Sequence, residues 1–376
     1  MENVIFVSEI QDPYIKGSST QIMTKNLLIG MRENQLKVHF ICIVDKDCNK
    51  ENVNSFFEAY VDKIDILESK MNLTLNKGKY KQLLINFLGL AKIKNYEKML
   101  EKIQIKKDAL LISHTPSIEA VYLCKEIKRK NLSMRYIQYW SDPLAISAMN
   151  IENFSYKRYP IYLLEKKLLS LSDEIVYGTK PLMEFQKTLF KAQSKKIRYI
   201  DVSYSEELPI ESKEPSNLVF GYTGGYRSNI RNIIPLYNVF KGRKDVNLVI
   251  YGTSDVSLES KENIEINQRC SQNDIRYVEA NLDVLVCLLN HKGIQIPGKT
   301  FYQTNSKKII LVVLDGRYQK KIYEYLNQFK RFEFCSNNED SISLAIERIR
   351  QGRVKVDLSK IEMLSPKKII CDLINK

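Results

Sequence analysis

The chain has 376 residues, 44% of them hydrophobic, with 58 Lys and Arg against 44 Asp and Glu for a formal charge of +14. That length predicts two domains with separate cores at roughly 150 residues each, and only 14 Gly and 10 Pro exclude collagen-like and low-complexity chains. Uncharged apolar runs such as Val284 to Leu289 fall far short of the ~20 residues of a membrane-spanning helix, and no basic leader precedes the first strand pattern, so neither a transmembrane segment nor a secretory signal is expected.

In chain order, Val4 to Ser8 reads as a strand, Thr20 to Asn34 as a helix, Lys37 to Val44 and Ala109 to Ser113 as strands, and Ile118 to Lys128 as a helix. Arg135 to Trp140 follows as a strand, Tyr159 to Leu171 as a helix and Glu174 to Tyr177 as a strand. Strands alternating with helices predict a parallel sheet covered on both faces. A polar stretch at 201–216, containing Pro209 and Pro215, separates this first domain, 1–200, from a second, 217–355, and 356–376 reads as C-terminal helices. The second series has strands at Leu218 to Tyr222, Val246 to Tyr251, Ile264 to Asn267, Val284 to Leu289 and Ile309 to Leu314, with helices near Asn229 to Phe240, Thr300 to Thr304 and Gln319 to Lys330, and from Asp340 onward. The expected fold class is α/β: two Rossmann-like, doubly wound domains facing a cleft, with ligands at the carboxyl ends of the strands.

Seven cysteines form no CxxC pair and only three His accompany them, which favours a reduced cytoplasmic compartment over a structural zinc site. The net charge suits polyanions such as phosphate-bearing ligands or anionic lipid, whereas no nucleic-acid recognition motif is present. Asn76 to Lys107 carries nine Lys against Glu97 and Glu101, interleaved with Leu83, Leu84, Phe87, Leu88, Leu90 and Ile93. Such a basic amphipathic segment can rest on an anionic leaflet or pack as a solvated helix on a core.

Gly293 to Thr300 matches the Walker A pattern letter for letter, and Ile309 to Asp315 resembles a Walker B strand. Two Ile fill the loop and only 76 residues follow Thr300, so a nucleotide hydrolase is not expected. The narrower reading is a phosphate seat, with Pro297 and Gly298 turning into a helix whose N–H groups are joined by the cation Lys299. A second seat is Thr223-Gly224-Gly225-Tyr226-Arg227, with Arg227 and Arg231 entering the next helix. Two glycine turns, each after a strand and each with a cation, point to a diphosphate gripped from two sides. Asp45-Lys46-Asp47 imitates a metal-binding DxD but ends the second strand of the chain, where a surface loop is expected, so no metal role is assigned.

Asn217 to Gly224, Arg231 to Leu236, Val246 to Gly252 and Asp283 to Val286, in this order, are similar to GT-B glycosyltransferases, specifically the family 4-like enzymes of bacterial capsule, O-antigen and exopolysaccharide assembly. Gln295-Ile296-Pro297-Gly298-Lys299 followed by Ser306 to Leu311 resembles that subgroup's donor-site segment, and Gly17-Ser18-Ser19-Thr20 its acceptor-side loop. The resemblance implies transfer from a nucleoside diphosphate sugar, UDP-sugar favoured, to a saccharide acceptor, lipid-linked, without cofactor or metal. It implies that Gly224, Gly225, Arg227, Arg231, Pro297, Gly298, Lys299, Thr300 and Tyr302 line the donor site, and that a final helix near Lys367 to Lys376 returns to the first domain. One position departs: Tyr302 stands where the subgroup carries a Glu that holds the donor ribose.

Such a transfer requires charge neutralisation on the departing diphosphate and, in some mechanisms, a base. Arg227, Arg231 and Lys299 are the candidate cations, and His114 and Asp142, at N-domain strand ends, the candidate bases. The expected setting is cytoplasmic and peripheral at the inner face of the plasma membrane, with an anionic membrane surface as a further partner. The alternatives are a catalytically inert GT-B protein that binds glycan or a partner enzyme, and a nucleotide-sugar epimerase.

Overall fold

The computed structural model describes residues 3–14, 18–69, 100–101, 103–115, 117–146, 159–208 and 217–375. Gly17, most of the basic segment Asn76 to Lys107 and residues 209–216 of the polar stretch lie outside them. The chain forms two compact units, one of Met1–Val202 with Pro366–Lys376 and the other of Ser203–Ser365. Of residues 356–376, therefore, only the last eleven join the first unit.

The first unit runs β1 (Asn3–Ile10), α1 (Ser19–Glu33), β2 (Lys37–Val44), α2 (Lys50–Phe57), β3 (Lys63–Glu68), β4 (Leu110–Thr115), α3 (Ile118–Lys130), β5 (Tyr136–Trp140), α4 (Tyr159–Leu169), β6 (Glu174–Tyr177), α5 (Lys180–Leu189) and β7 (Ile197–Tyr199). Among the described residues its seven strands lie in the order β3-β2-β1-β4-β5-β6-β7, and every pairing between them is parallel. Helices covering both faces explain why β5 is buried at all five residues and reads as an apolar and aromatic run broken only by Gln138, whose buried amide bonds the Leu168 carbonyl and the Trp140 indole. Helix α1 starts where Ser18 and Gln21 satisfy each other's backbone N–H groups in a capping box.

The second unit runs β8 (Val219–Thr223), α6 (Ile234–Lys241), β9 (Asn247–Tyr251), β10 (Ile264–Asn267), α7 (Gln272–Ala280), β11 (Val284–Leu288), α8 (Lys299–Tyr302), β12 (Ile309–Leu314), α9 (Gln319–Asn327), β13 (Glu333–Ser336) and α10 (Glu339–Arg350). The sheet order is β10-β9-β8-β11-β12-β13, again wholly parallel. Phe220, Leu248, Val286, Leu311, Ile342 and Ile346 are among its core. A closing helix, α11 (Pro366–Ile374), belongs to the first unit.

Counted within each unit, the first six strands follow the order 3-2-1-4-5-6, so the chain reverses direction between β1 and β4 and between β8 and β11. These switch points are where doubly wound sheets leave room for a ligand at the strands' carboxyl ends.

Two expectations are corrected. The helix expected from Asn229 begins only at Ile234, with Pro235 in its first turn, so Arg227 and Arg231 sit in the preceding loop instead of on a helix. The segment expected to be helical over Thr300 to Thr304 is a single turn, Lys299–Tyr302.

Candidate functional site

At the switch point of the second unit, β8 ends at Thr223 and the chain enters the glycine turn. The N–H groups of Gly224 and Tyr226 donate to the carbonyls of Tyr251 (2.8 Å) and Thr253 (3.1 Å), which holds the turn against the end of β9. The approach is so close that a Cβ on Gly252 would meet the Gly224 carbonyl oxygen at 1.9 Å, which is why position 252 carries no side chain. Two of the turn's three N–H groups are thus engaged, a partial correction to the expected open phosphate seat. That of Gly225 remains without a partner among the described residues.

Arg231 reaches back over this turn. Its Nη1 donates to the Gly225 carbonyl (2.9 Å) and its Nε to Asn290 Oδ1 (3.0 Å), while the Asn290 amide donates in turn to the Gln295 carbonyl (3.2 Å). Tyr222 donates its hydroxyl to the same Gly225 carbonyl (2.8 Å), and burial holds that phenol above its ordinary range. The guanidinium is therefore braced from two strands' ends, and its Nη2 has no hydrogen-bond partner among the described residues. Arg227 is exposed and lies near Asp255, which accepts from the Ser228 N–H (2.7 Å) and hydroxyl (2.8 Å) and is held below the usual carboxylate range by those bonds first and by the Arg227 charge last.

The second expected seat is built differently from the sequence reading. The N–H groups of Thr300 and Phe301 fold back onto the carbonyls of Pro297 (3.0 Å) and Gly298 (2.9 Å), so they do not face a ligand. Lys299 turns its ammonium to the Thr223 carbonyl and hydroxyl and to Glu279 Oε1 (3.2 Å). Thr300 and Tyr302 are buried, Tyr302 with its carbonyl accepting from the Ser205 N–H (2.8 Å), and Gln303 donates to Glu279 Oε2 (3.1 Å). Neither Tyr302 nor Gln303 is presented as an open ribose contact.

In the first unit, His114 on β4 is buried between Phe6 and Tyr139, with Nδ1 on the hydroxyls of Thr24 (2.9 Å) and Ser8 (3.4 Å). Burial lowers its pKa to about 3. An imidazole held that low is a poor base at neutral pH, which corrects its expected role. Asp142 is exposed in the bend after β5. Ser18 serves as the cap of α1, and Asp45 and Asp47 follow β2 in a turn. Among the described residues no group of three or more His, Cys, Asp or Glu is placed to hold a metal ion, and no helix is long and apolar enough to cross a membrane.

Several site residues carry no sequence signal of their own. Glu279 on α7 is buried and collects Lys299, Thr223 and Gln303. Asp315, the residue that imitates Walker B, instead orients an imidazole. Its Oδ1 lies 3.2 Å from His291 Nδ1 and accepts from the Gly316 N–H (2.7 Å), and its Oδ2 accepts from Asn337 (2.8 Å). The His291 N–H in turn donates to the Ile230 carbonyl (2.7 Å), tying this loop to the Arg231 segment. The available hint was position: His291 and Asp315 each stand just past an apolar strand pattern in neighbouring strands.

No protein-family model matches the chain, and no curated protein sequence does. Among solved structures, the catalytic domain of Starch Synthase IV from Arabidopsis thaliana, bound to ADP and acarbose, is similar with a TM-score of 0.60 at 11% identity over 98% of this chain and 95% of that one. The fold is GT-B. A UDP-N-acetylglucosamine 2-epimerase (TM-score 0.57, 9% identity, 99% of this chain and 96% of that one) and a UDP-glucosyltransferase from Polygonum tinctorium (0.54, 10%, 100% and 95%) share it. Since these proteins carry different names at similar distance, the residues must decide what the fold does here.

Proposed function

We propose that the chain is a glycosyltransferase that moves a sugar from a nucleoside diphosphate sugar, UDP-sugar favoured, to a lipid-linked saccharide during cell-surface polysaccharide synthesis. The observation that supports it is the Arg231 guanidinium, braced by Asn290 and Gly225 at the carboxyl ends of the switch-point strands. Charge develops on the diphosphate as the bond between the anomeric carbon and phosphate oxygen breaks, and Arg231, Arg227 and the Gly225 N–H supply fixed positive potential there, in a metal-independent mechanism. On the acceptor side Asp142 is the exposed candidate to take the hydroxyl proton, or the departing phosphate takes it directly. The proposed setting is the cytoplasmic face of the plasma membrane, with the lysines of Asn76 to Lys107 on the anionic leaflet.

A GT-B protein that binds nucleotide or glycan without turnover is a second reading, favoured by the burial of Tyr302 where the resembled subgroup has a ribose-binding Glu. Solved structures named as epimerases supply a third. A thermal-shift series with UDP, ADP and GDP tests the shared premise, because a ligand at 100 times its dissociation constant stabilises by about 2.7 kcal/mol. UDP release from a UDP-sugar that rises on adding a saccharide acceptor supports transfer, binding with no release supports the inert reading, and acceptor-free interconversion of epimeric UDP-sugars replaces transfer with epimerisation. No stabilisation by any nucleoside diphosphate rejects the premise.

A further inference from the structure

Lys299 carries the Pro-Gly-Lys signature that drew attention to a phosphate seat, yet an ammonium has three N–H donors and all three have partners inside the unit. They go to the carbonyl of Thr223, to the hydroxyl of Thr223 and to Glu279 Oε1 at 3.2 Å. Thr223 passes its own hydroxyl proton to the same Glu279 oxygen at 2.6 Å, and Gln303 donates to the other oxygen at 3.1 Å. Thr223, Glu279 and Gln303 are all buried. The network closes on itself: one carboxylate accepting three bonds, one ammonium donating three, and a hydroxyl that does both. Gln303 Oε1, on the far side of that amide, is buried without a hydrogen-bond partner among the described residues, but the lysine, the carboxylate and the hydroxyl are bonded to one another. Buried polar networks of this kind fix a local geometry, and become costly when one member is removed.

What the network fixes is the residue immediately before the glycine turn. Thr223 is the last residue of β8, and Lys299 ties its backbone carbonyl to α7 through Glu279 and to the start of α8 through the lysine's own backbone. We infer that Lys299 and Glu279 are a positioning pair: Lys299 is the counter-ion that lets the buried Glu279 side chain hold Thr223 at the foot of the glycine turn, and it acts on a bound nucleoside diphosphate through Thr223 and Gly225 without touching it. This assignment rests on the donor-site reading proposed above. It makes a prediction opposite to that of a direct phosphate ligand, because a ligand lysine is irreplaceable, whereas a counter-ion becomes dispensable once the charge it balances is gone.

The experiment is a double-variant cycle with UDP as the probe, read by calorimetry, with thermal unfolding of each nucleotide-free protein alongside. Lys299→Met, which leaves Glu279 buried and unpaired, is expected to bind UDP at least tenfold more weakly and to unfold at lower temperature. Adding Glu279→Gln is expected to restore affinity to within about threefold of wild type and to recover most of the melting temperature. A double variant as weak as Lys299→Met, with its stability recovered, makes Lys299 a direct ligand and overturns the inference. So does Lys299→Met binding like wild type. If Lys299→Met alone does not fold, wild type against the double variant still decides, since only a direct ligand leaves the folded double variant weak. If wild type itself ignores UDP, ADP and GDP, the donor-site reading fails. The pairing is then judged on stability alone, where absence of rescue by Glu279→Gln rejects it.

Discussion

Gly30 of α1 and Pro366 of α11 meet backbone to backbone: a Cβ on Gly30 would lie 2.2 Å from the Pro366 carbonyl oxygen and 2.7 Å from Cγ1 of Ile370. Asn34 completes the contact by donating to the Lys367 carbonyl (2.8 Å). The missing side chain is what lets the last helix return to the first unit. Gly30→Ala forces the two helices apart, and overpacking of this sort costs about 1–3 kcal/mol. Trp140 is the single tryptophan of the chain and is buried in β5 of that unit, so its fluorescence reports this unit's unfolding. The expected outcome is a Trp140-detected transition lowered by about 2–4 °C per kcal/mol. An unchanged transition would show that the helices do not rely on this contact.

The far end of the same helix is held by charge. Arg135 and Arg198 donate to the carbonyls of Ile374 (2.6 Å) and Leu373 (2.6 Å), the orphan acceptors of a helix C-terminus, and both also donate to Glu174, at 2.5 Å from Arg135 Nε and 3.1 Å from Arg198 Nε. Burial pushes the Glu174 carboxyl up, but the hydrogen bonds and charges of Arg135 and then Arg198 together hold it below its ordinary value. A depressed carboxylate stabilises the fold above its unfolded-state range and loses that contribution as pH falls through the folded value. Glu174→Gln should therefore destabilise the Trp140-reported unit at pH 7, with the deficit shrinking in acid. A deficit that stays constant from pH 7 to strongly acidic solution contradicts the ion-pair account.

How much of this was legible in the sequence depends on what each residue's neighbours are. Lys37–Val44, Glu174–Tyr177 and Ile309–Leu314 match their expected strands to the residue, because interior parallel strands covered on both faces read as apolar runs. The edge strand Ile264–Asn267 matches as well, through the alternation of its two Ile with Glu265 and Asn267. Lys63–Glu68 gives no such signal: it is an edge strand, half-exposed, with charges between its apolar residues. His114 stands near a strand end, as expected, but its register opposite Ser8 and Tyr139 turns it into the core. The glycine turn was readable from its own residues. Glu279 was not, since one acid in a helix of mixed charge looks like surface until the strand end beneath it is known.

Glu165 on α4 is wholly buried, with Oε2 accepting from the Ala145 N–H (2.7 Å) and Oε1 from the Gln186 amide (3.3 Å). Burial raises its pKa to about 7, against the smaller lowering by those bonds and by the Leu144 backbone. The neighbouring Tyr177 phenol is pushed up by burial and by the Glu165 charge. A carboxyl raised in the fold binds a proton that the unfolded chain has released, so its contribution is complete below about pH 4.5 and is lost as pH rises through about 7. Each pH unit in that window costs about 1.4 kcal/mol. Glu165→Gln cannot ionise, and its Trp140-reported stability should fall less between pH 5 and 8 than that of wild type. Parallel pH profiles for the two proteins would place the ionisation elsewhere.

Arg231 is the residue on which the donor reading stands. Its Nε and Nη1 point in the two directions needed to reach Asn290 and Gly225 at once, which leaves the remaining N–H groups of the planar guanidinium aimed by the same brace. Hydrogen bonds to a charged group contribute about 1.5–3 kcal/mol, so Arg231→Ala is expected to weaken UDP binding by one to two orders of magnitude. Lysine keeps the charge but has no fork: it cannot hold Asn290, Gly225 and a phosphate together, so Arg231→Lys should lose nearly as much as the alanine variant. Asn290→Ala, which keeps the charge and removes one arm of the brace, should lose less than either. Calorimetry on the four proteins gives the order. If Arg231→Lys binds like wild type, charge alone suffices and the brace is incidental, and if Arg231→Ala does too, the diphosphate lies elsewhere.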